Sequence, residues 1–258
     1  MNYDMTNKRQ IPNDFRIVST KPKITVFGDS IPKGLYLDGG KIARIGNSAV
    51  SLTTSRYGFE IDNFSVFGQT LKKCFDKGYI QRWIEERKST AEIPVIALGG
   101  NDSDYDWVSV ANAPDAFHDS FTPLNEFEKL LETVILLLKK AGARPVFLLL
   151  PPIDSLRYFK NVICRRADGE RVLKFLKDDV SNIARHQECF SRAILQKALE
   201  YECEFIDIRT PFLLQTDYLS YMADDGIHPN EKGHALIADT ISAHIEKRHP
   251  SLHSVYVS

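Results

Sequence analysis

The chain has 258 residues, of which 43% are hydrophobic and 26% are charged, so it can bury a sizeable core. This composition excludes the disordered, collagen-like and disulfide-rich miniprotein classes. Lysine and arginine total 33 against 34 acidic residues, which gives a net charge of −1. Without a strong field over the whole molecule, we expect no nucleic-acid partner and no electrostatic binding to membranes.

The apolar runs are too short to cross a bilayer, because residues 134–138 run directly into Lys139 and Lys140. Residues 1–22 form a polar extension that lacks the apolar stretch of a secretory signal, so we expect a cytoplasmic protein. The four cysteines show no C-x-x-C spacing and no Cys/His grouping typical of metal sites. We therefore interpret them as reduced thiols and expect neither a metal nor a cofactor.

Five short β-branched or leucine-rich runs alternate with helical patterns along the chain. The predicted strands are 24–27, 61–66, 94–98, 145–150 and 204–208. Apolar residues at steps of three and four predict a helix between Leu124 and Ala141, with Gly142 as its stop. Similar patterns predict a helix over 179–201 and a terminal helix after Asn230.

Strands that alternate with long helices run parallel, and a parallel sheet needs both of its faces covered. The pattern therefore predicts a three-layer αβα domain of the α/β class with a five-stranded parallel sheet. No repeat or flexible linker interrupts the chain, which favours one domain over 1–258 with its core at about 23–247. Residues 154–177 are interpreted as an insertion near the site with local helix.

Ligands of open parallel sheets bind beyond the carboxyl ends of the strands, so the residues that follow each strand are the candidates for a site. These loops carry Gly28-Asp29-Ser30, Gly68-Gln69-Thr70, Gly99-Gly100-Asn101-Asp102 and Pro151-Pro152-Ile153-Asp154, and Asp225-Gly226-Ile227-His228 precedes the last helix. We expect all five loops to meet at one edge of the sheet.

Ester hydrolysis by a serine needs a hydroxyl, a base, a group that orients the base, and donors for the oxyanion. Ser30 follows the first strand and is the candidate nucleophile. His228 is the candidate base, and Asp225 stands three residues before it, a spacing that lets the carboxylate reach one ring nitrogen. Although 198 residues separate Ser30 from His228, the strand-end geometry predicts that they meet.

The candidate oxyanion donors are the backbone N–H groups of Ser30 and Gly68 and the side-chain amide of Asn101. A glycine allows close approach to the main chain, and an amide donates without losing a proton. Tyr105 and Trp107, in the loop after Asn101, are candidates for lining a substrate pocket or for a satellite apolar cluster. Asp29 and Asp102 are interpreted as carboxylates that bond backbone N–H groups, rather than as proton carriers.

The four ordered blocks around Ser30, Gly68, Asn101 and His228 resemble those of the SGNH hydrolases, also called GDSL esterases and lipases. The resemblance covers about residues 23–247. It implies a flavodoxin-like sheet, a Ser30 nucleophile, Gly68 and Asn101 in an oxyanion hole, and a His228/Asp225 pair without a metal. Ile31-Pro32 departs from the usual continuation of the first block, although Pro32 suits the first turn of a helix.

The sequence therefore predicts a carboxyl-ester hydrolase that acts on a small-molecule ester through an acyl-serine, with carbohydrate deacetylation suggested by family analogy. An acyltransferase with the same site is the first alternative. A metal-dependent phosphoesterase, in which Asp29, Asp102, Asp225 and His228 bind divalent ions, is the second alternative. Acyl length, the alcohol and the oligomeric state stay open.

Overall fold

A five-stranded parallel sheet, covered by helices on both faces, forms the centre of the computed structural model, which describes residues 22–250. The strands in these residues are β1 (Lys23–Gly28), β2 (Leu35–Asp38), β3 (Lys41–Arg44), β4 (Glu60–Asn63), β5 (Ile93–Ala97), β6 (Val146–Leu148) and β7 (Glu204–Ile206). All except β2 and β3 belong to the parallel sheet. The predicted three-layer α/β architecture is confirmed.

The helices include both long, amphipathic segments and short ones. They are α1 (Ser30–Lys33), α2 (Ala49–Tyr57), α3 (Leu71–Asp76), α4 (Tyr79–Glu86), α5 (Trp107–Asn112), α6 (Leu124–Lys140), α7 (Ser155–Asn161), α8 (Gly169–Phe175), α9 (Ser181–Glu200), α10 (Arg209–Leu213) and α11 (Glu231–Arg248). Within residues 22–250, no helix combines the length and apolar character that a bilayer crossing requires.

The strand order in the sheet is β4-β1-β5-β6-β7, which is the flavodoxin-like order. The side of the sheet on which successive strands are added reverses between β1 and β5. The chain first places β4 on one side of β1 and then places β5, β6 and β7 on the other side. Ligands of such sheets bind at this switch point, beyond the carboxyl ends of the two strands. Ser30 follows β1 and Asn101 follows β5, so both stand at this position.

The main core lies between the sheet and the helix pair α6 and α9. Phe127, Leu131 and Leu138 of α6 recur on one face and are at most 1% exposed, as the predicted stripe requires. Phe190 of α9 packs against Phe127, with ring centroids 4.9 Å apart. Helices α2 and α11 cover the opposite face of the sheet.

The structure also contains an antiparallel hairpin, β2 and β3, that the sequence analysis did not predict. Four of the five predicted strands end earlier than expected. In two of them, 61–66 and 204–208, Asn63 and Asp207 turn the chain by each accepting a hydrogen bond from the backbone N–H two residues later. The predicted insertion, 154–177, folds as α7 and α8 with a short 3₁₀ turn between them. Apart from Pro22, the predicted polar extension 1–22 lies outside the described residues.

Candidate active site

Ser30, His228 and Asp225 form a continuous hydrogen-bonded chain at the carboxyl edge of the sheet. Ser30 Oγ lies 2.7 Å from His228 Nε2, and His228 Nδ1 lies 2.6 Å from Asp225 Oδ2. All three residues are buried, with exposures of 2–4%. The structure thus brings together the hydroxyl, imidazole and carboxylate predicted from the sequence.

Asp225 determines which imidazole nitrogen carries the proton. An ionised carboxylate only accepts hydrogen bonds, so Nδ1 of a neutral His228 must be the donor and Nε2 is left to accept the Ser30 proton. The carboxylate also accepts the N–H groups of Leu37, Ile227 and His228. Burial alone would raise the pKa of Asp225, but the hydrogen bonds and the His228 ring outweigh burial and hold it below its usual value.

Local backbone geometry positions both ends of this chain. Asp29 caps α1 by accepting the Ile31 N–H at 3.0 Å, which places Ser30 at the first helical residue. At the other end of the chain of hydrogen bonds, Gly226 has a φ of +76° and packs so closely against α7 that a side chain has no room. A Cβ there would lie 2.6 Å from both Asp154 O and Tyr158 N, so only glycine fits the turn between Asp225 and His228.

The three predicted oxyanion donors differ in their present partners. Within residues 22–250, the backbone N–H groups of Ser30 and Gly68 donate no hydrogen bond. The Asn101 amide nitrogen lies 3.2 Å from Asp29 Oδ2 and 3.1 Å from Gln69 O, both at the long end of the hydrogen-bond range. Gly68 has a φ of +70°, a left-handed conformation that favours glycine. The backbone conformation therefore explains a glycine at this position independently of any substrate.

The two neighbouring carboxylates bond backbone N–H groups, as predicted. Asp102 accepts the Leu71 N–H at 2.7 Å and the Thr122 hydroxyl at 2.7 Å, and so connects the loop after β5 to the start of α3. Burial raises the pKa of Asp102 and raises that of Asp29 to about 6. Ionised Asp29 therefore lowers the free energy of unfolding relative to protonated Asp29.

A cleft leads from the surface to Ser30 and His228. Asn101 and both predicted pocket residues, Tyr105 and Trp107, line it, whereas Gly68 is not among its lining residues. Ile153 and Ile227 of the predicted loops and Tyr158 of the predicted insertion also line it. Ile183 and Gln187, which come from α9, were not predicted, because no local pattern reveals how that helix packs against the cleft.

Polar side chains in the wall of the cleft are already bonded to the protein. Asp104 accepts the Trp107 indole N–H at 2.8 Å and the Tyr158 hydroxyl at 2.6 Å. Gln187 donates to Pro151 O and accepts from Arg209, each at 2.9 Å. The wall away from Ser30, His228 and Asn101 therefore presents mainly apolar and aromatic surface to a ligand.

The four residues considered as metal ligands, Asp29, Asp102, Asp225 and His228, do not form a metal-binding group in the described part of the chain. Asp225 and His228 bond each other, while Asp102 is directed toward α3 and Thr122. This arrangement suits nucleophilic catalysis by a serine rather than coordination of an ion by these residues.

Solved structures of esterases share this fold. A lipase/acylhydrolase from Enterococcus faecalis matches with a TM-score of 0.59 at 18% identity, covering 88% of this chain and 96% of the other. The acetylxylan esterase Axe2 from Geobacillus stearothermophilus matches with a TM-score of 0.57 at 19% identity (87% and 94%). The psychrotrophic esterase EstA from Pseudoalteromonas sp. matches at 0.54 and 17% (88% and 98%).

No curated protein sequence matches the chain significantly. The model of the GDSL-like lipase/acylhydrolase family, however, matches residues 26–236, which include Ser30, Asp225 and His228. The match spans most of the sequence, and the structural neighbours include esterases with the same architecture. The protein therefore belongs to the GDSL-like lipase/acylhydrolase family and is an ester-hydrolysing enzyme.

Proposed function

We propose that the protein hydrolyses carboxyl esters through an acyl-Ser30 intermediate. The observation that carries this proposal is the 2.7 Å contact between Ser30 Oγ and His228 Nε2, on a ring whose Nδ1 is held by Asp225. This contact gives a serine hydroxyl a base of the correct tautomer within direct proton-transfer reach.

In the first step, Ser30 Oγ bonds to the carbonyl carbon while its proton moves to His228 Nε2. The negative charge on the carbonyl oxygen is stabilised by the N–H groups of Ser30 and Gly68 and by Asn101, whose amide exchanges its long contact with Asp29 for the substrate oxygen. The tetrahedral intermediate then collapses, the bond to the alcohol oxygen breaks, and His228 gives its proton to that oxygen.

In the second step, water attacks the acyl-serine and His228 Nε2 takes one of its protons. Collapse of this intermediate breaks the bond to Ser30 Oγ, returns the proton to it and releases the carboxylic acid. Asp225 stabilises the imidazolium that forms in each step without changing its own protonation. These proton transfers require no side chain other than those of Ser30, His228 and Asp225.

The apolar wall of the cleft supports a substrate with an apolar group next to the scissile bond. Tyr105, Trp107 and Tyr158 form part of this wall, and the polar atoms of Trp107 and Tyr158 bond to Asp104. A substrate panel therefore runs from acetyl to octanoyl esters of nitrophenol. It also includes acetylated xylo-oligosaccharide, because one structural neighbour is an acetyl-xylooligosaccharide esterase.

The test compares the wild-type protein with Ser30→Ala across this panel. We expect the best ester to lose roughly 10⁴-fold or more in kcat/KM, because the nucleophile is removed. Ser55→Ala, an exposed serine of α2, is the matched control and should keep the wild-type rate.

A Ser30→Ala protein with unchanged circular dichroism and melting temperature that kept the wild-type rate would refute the proposed nucleophile. Product analysis with and without an alcohol acceptor separates hydrolysis from acyl transfer, since both reactions pass through the same acyl-serine.

A further inference from the structure

Glu204, His244 and His249 form a second cluster of titratable side chains, far from the cleft along the strand direction. Glu204 is the first residue of the edge strand β7, whereas Ser30 and Asn101 follow the carboxyl ends of their strands. His244 lies in the last turns of α11, and His249 follows that helix directly. Nothing in the proposed ester hydrolysis uses these three residues.

The two imidazole rings direct their ε nitrogens at the same carboxylate oxygen. His244 Nε2 lies 2.6 Å and His249 Nε2 lies 2.9 Å from Glu204 Oε1. The ring centroids are 6.4 Å apart and the ring planes are inclined by 54°, so the rings approach this point from different directions. The three possible ligand atoms all lie within 4.8 Å of one another.

We propose that Glu204, His244 and His249 bind a divalent transition-metal ion, with Zn²⁺ as the best match. Two imidazole nitrogens and one carboxylate oxygen are a donor set that Zn²⁺ favours, at ligand distances of about 2.0 to 2.2 Å. Three ligands of a tetrahedral ion at such distances stand about 3.3 Å apart, so the present N···O distances of 2.6 and 2.9 Å would have to lengthen by about 0.7 and about 0.4 Å. The cluster is the one group of three such residues within 22–250.

Partial burial supports this assignment. The side chains are 27%, 18% and 24% exposed for Glu204, His244 and His249, which shields the ligands yet leaves an open side for a water molecule as fourth ligand.

A bound ion would join the end of α11 to the edge strand. Strand β7 and α11 already contact each other, and α11 begins just after His228 at its other end. Because the cluster lies at the opposite edge of the sheet from Ser30, we expect the ion to stabilise the fold and to leave esterase activity unchanged. This proposal is independent of the proposed ester hydrolysis.

The experiment uses the full-length chain, freed of any affinity tag and dialysed against a chelator, titrated with zinc chloride by calorimetry. We expect one ion per chain with a Kd of about 1 μM or tighter. At roughly a hundredfold excess over the Kd, the melting temperature should rise by about 5 °C. Cobalt(II) should give visible absorption bands of a four-coordinate site.

Glu204→Gln and His244→Ala should each weaken zinc binding by about tenfold or more. Glu202→Gln and His118→Ala are the matched controls, an exposed carboxylate two residues away and an imidazole elsewhere on the surface. The zinc-dependent rise in melting temperature is compared within each variant, so a variant that is less stable without metal still reports on binding.

Unchanged zinc affinity in Glu204→Gln and His244→Ala would overturn the proposal, because the ion would then bind elsewhere. Absence of binding to the wild-type chain would also overturn it and would leave a hydrogen-bonded cluster without a metal. Neither result bears on Ser30, whose test is the ester panel.

Discussion

His228 and Asp225 show how a few hydrogen bonds fix the chemistry of one side chain. Asp225 accepts three backbone N–H groups besides the imidazole, one of them from Leu37 of the hairpin strand β2. These bonds hold the carboxylate in place, so the imidazole stays in the tautomer whose Nε2 accepts a hydrogen bond from Ser30. Phe67 lies nearly parallel to the imidazole at a centroid distance of 6.1 Å and packs beside it.

Asn101→Ala tests the side-chain donor of the proposed oxyanion hole. We expect kcat to fall by roughly 100- to 1,000-fold with little change in KM, because the donor acts on charge that develops only in the transition state. The measurement is steady-state kinetics on the best nitrophenyl ester. An unchanged kcat in a folded Asn101→Ala protein would show that its amide serves only to bond Asp29 and Gln69.

Asp29→Asn tests the cost of burying a carboxylate beside the nucleophile. The folded-state pKa of Asp29 is raised to about 6 from 3.8, so the folded state binds this proton more tightly than the unfolded chain. Stability therefore falls as pH rises from about 4 to about 6, and the full cost of about 3 kcal/mol remains above that window. A neutral asparagine avoids this cost and can still accept the Ile31 N–H.

We accordingly expect Asp29→Asn to have the higher free energy of unfolding at about pH 7.5, with the difference disappearing below about pH 4. Urea unfolding at the two pH values provides the measurement. A difference of equal size at both values would mean that the charge of Asp29 is not its cause.

Residue types and their order along the chain were enough to predict Ser30, Asp225, His228 and Asn101 as members of one site, because each follows a strand or precedes the last helix. The partners of Asn101 were not predictable. Its contacts with Asp29 and Gln69 depend on how two loops from different strands pack together. The bonding of Asp104 to Trp107 and Tyr158 depends in the same way on tertiary packing.

At the scale of elements, the start of α11 positions the loop that carries His228. Asn230 caps α11 by accepting the Gly233 N–H at 3.1 Å, and its own side chain donates to Ser220 O and Met222 O. Helix and loop are therefore joined directly behind the imidazole. Gly233 lies in this contact, where the helix approaches the backbone of Tyr221 closely.

Gly233→Ala should destabilise the fold, because the added Cβ would lie 2.2 Å from Tyr221 O and 2.7 Å from Pro229 Cβ. Overpacking of about 1 to 3 kcal/mol lowers the melting temperature by about 5 °C for a chain of this size. Differential scanning calorimetry measures the shift.

The control for this substitution is Gly46→Ala, since its added Cβ meets only the flexible end of Glu231 at 3.2 Å. The close-packing explanation fails if the two variants melt at the same temperature.

Strong periodicity made the long helices predictable: α6, α9 and α11 were predicted over nearly their observed ranges. Helix α2 and the hairpin strands β2 and β3 were not predicted, because their patterns are weak. Helix α2 buries only three side chains, and β3 exposes Ile42. The hairpin did carry a signal, since Gly39-Gly40 stands between its two strands and such pairs are typical of tight hairpin turns.

At the scale of the whole molecule, the site exists only because the sheet joins distant parts of the chain. Ser30 and His228 are 198 residues apart, and no local structure can hold them at 2.7 Å. The flavodoxin-like strand order places the loops after β1 and β5 on either side of the switch point, and β7 brings the chain back to the same edge before α11 begins. Activity should therefore depend on the folded sheet rather than on any fragment.

The most direct test of the proposed mechanism is covalent labelling of the native protein with a fluorophosphonate, followed by intact-mass measurement and peptide mapping. A serine activated by His228 should displace fluoride and retain one phosphonyl group per chain. We expect that single group on Ser30, with esterase activity lost in proportion to labelling and no label on the Ser30→Ala protein. Inactivation with the label on another residue, or full activity after Ser30 is labelled, would contradict the account.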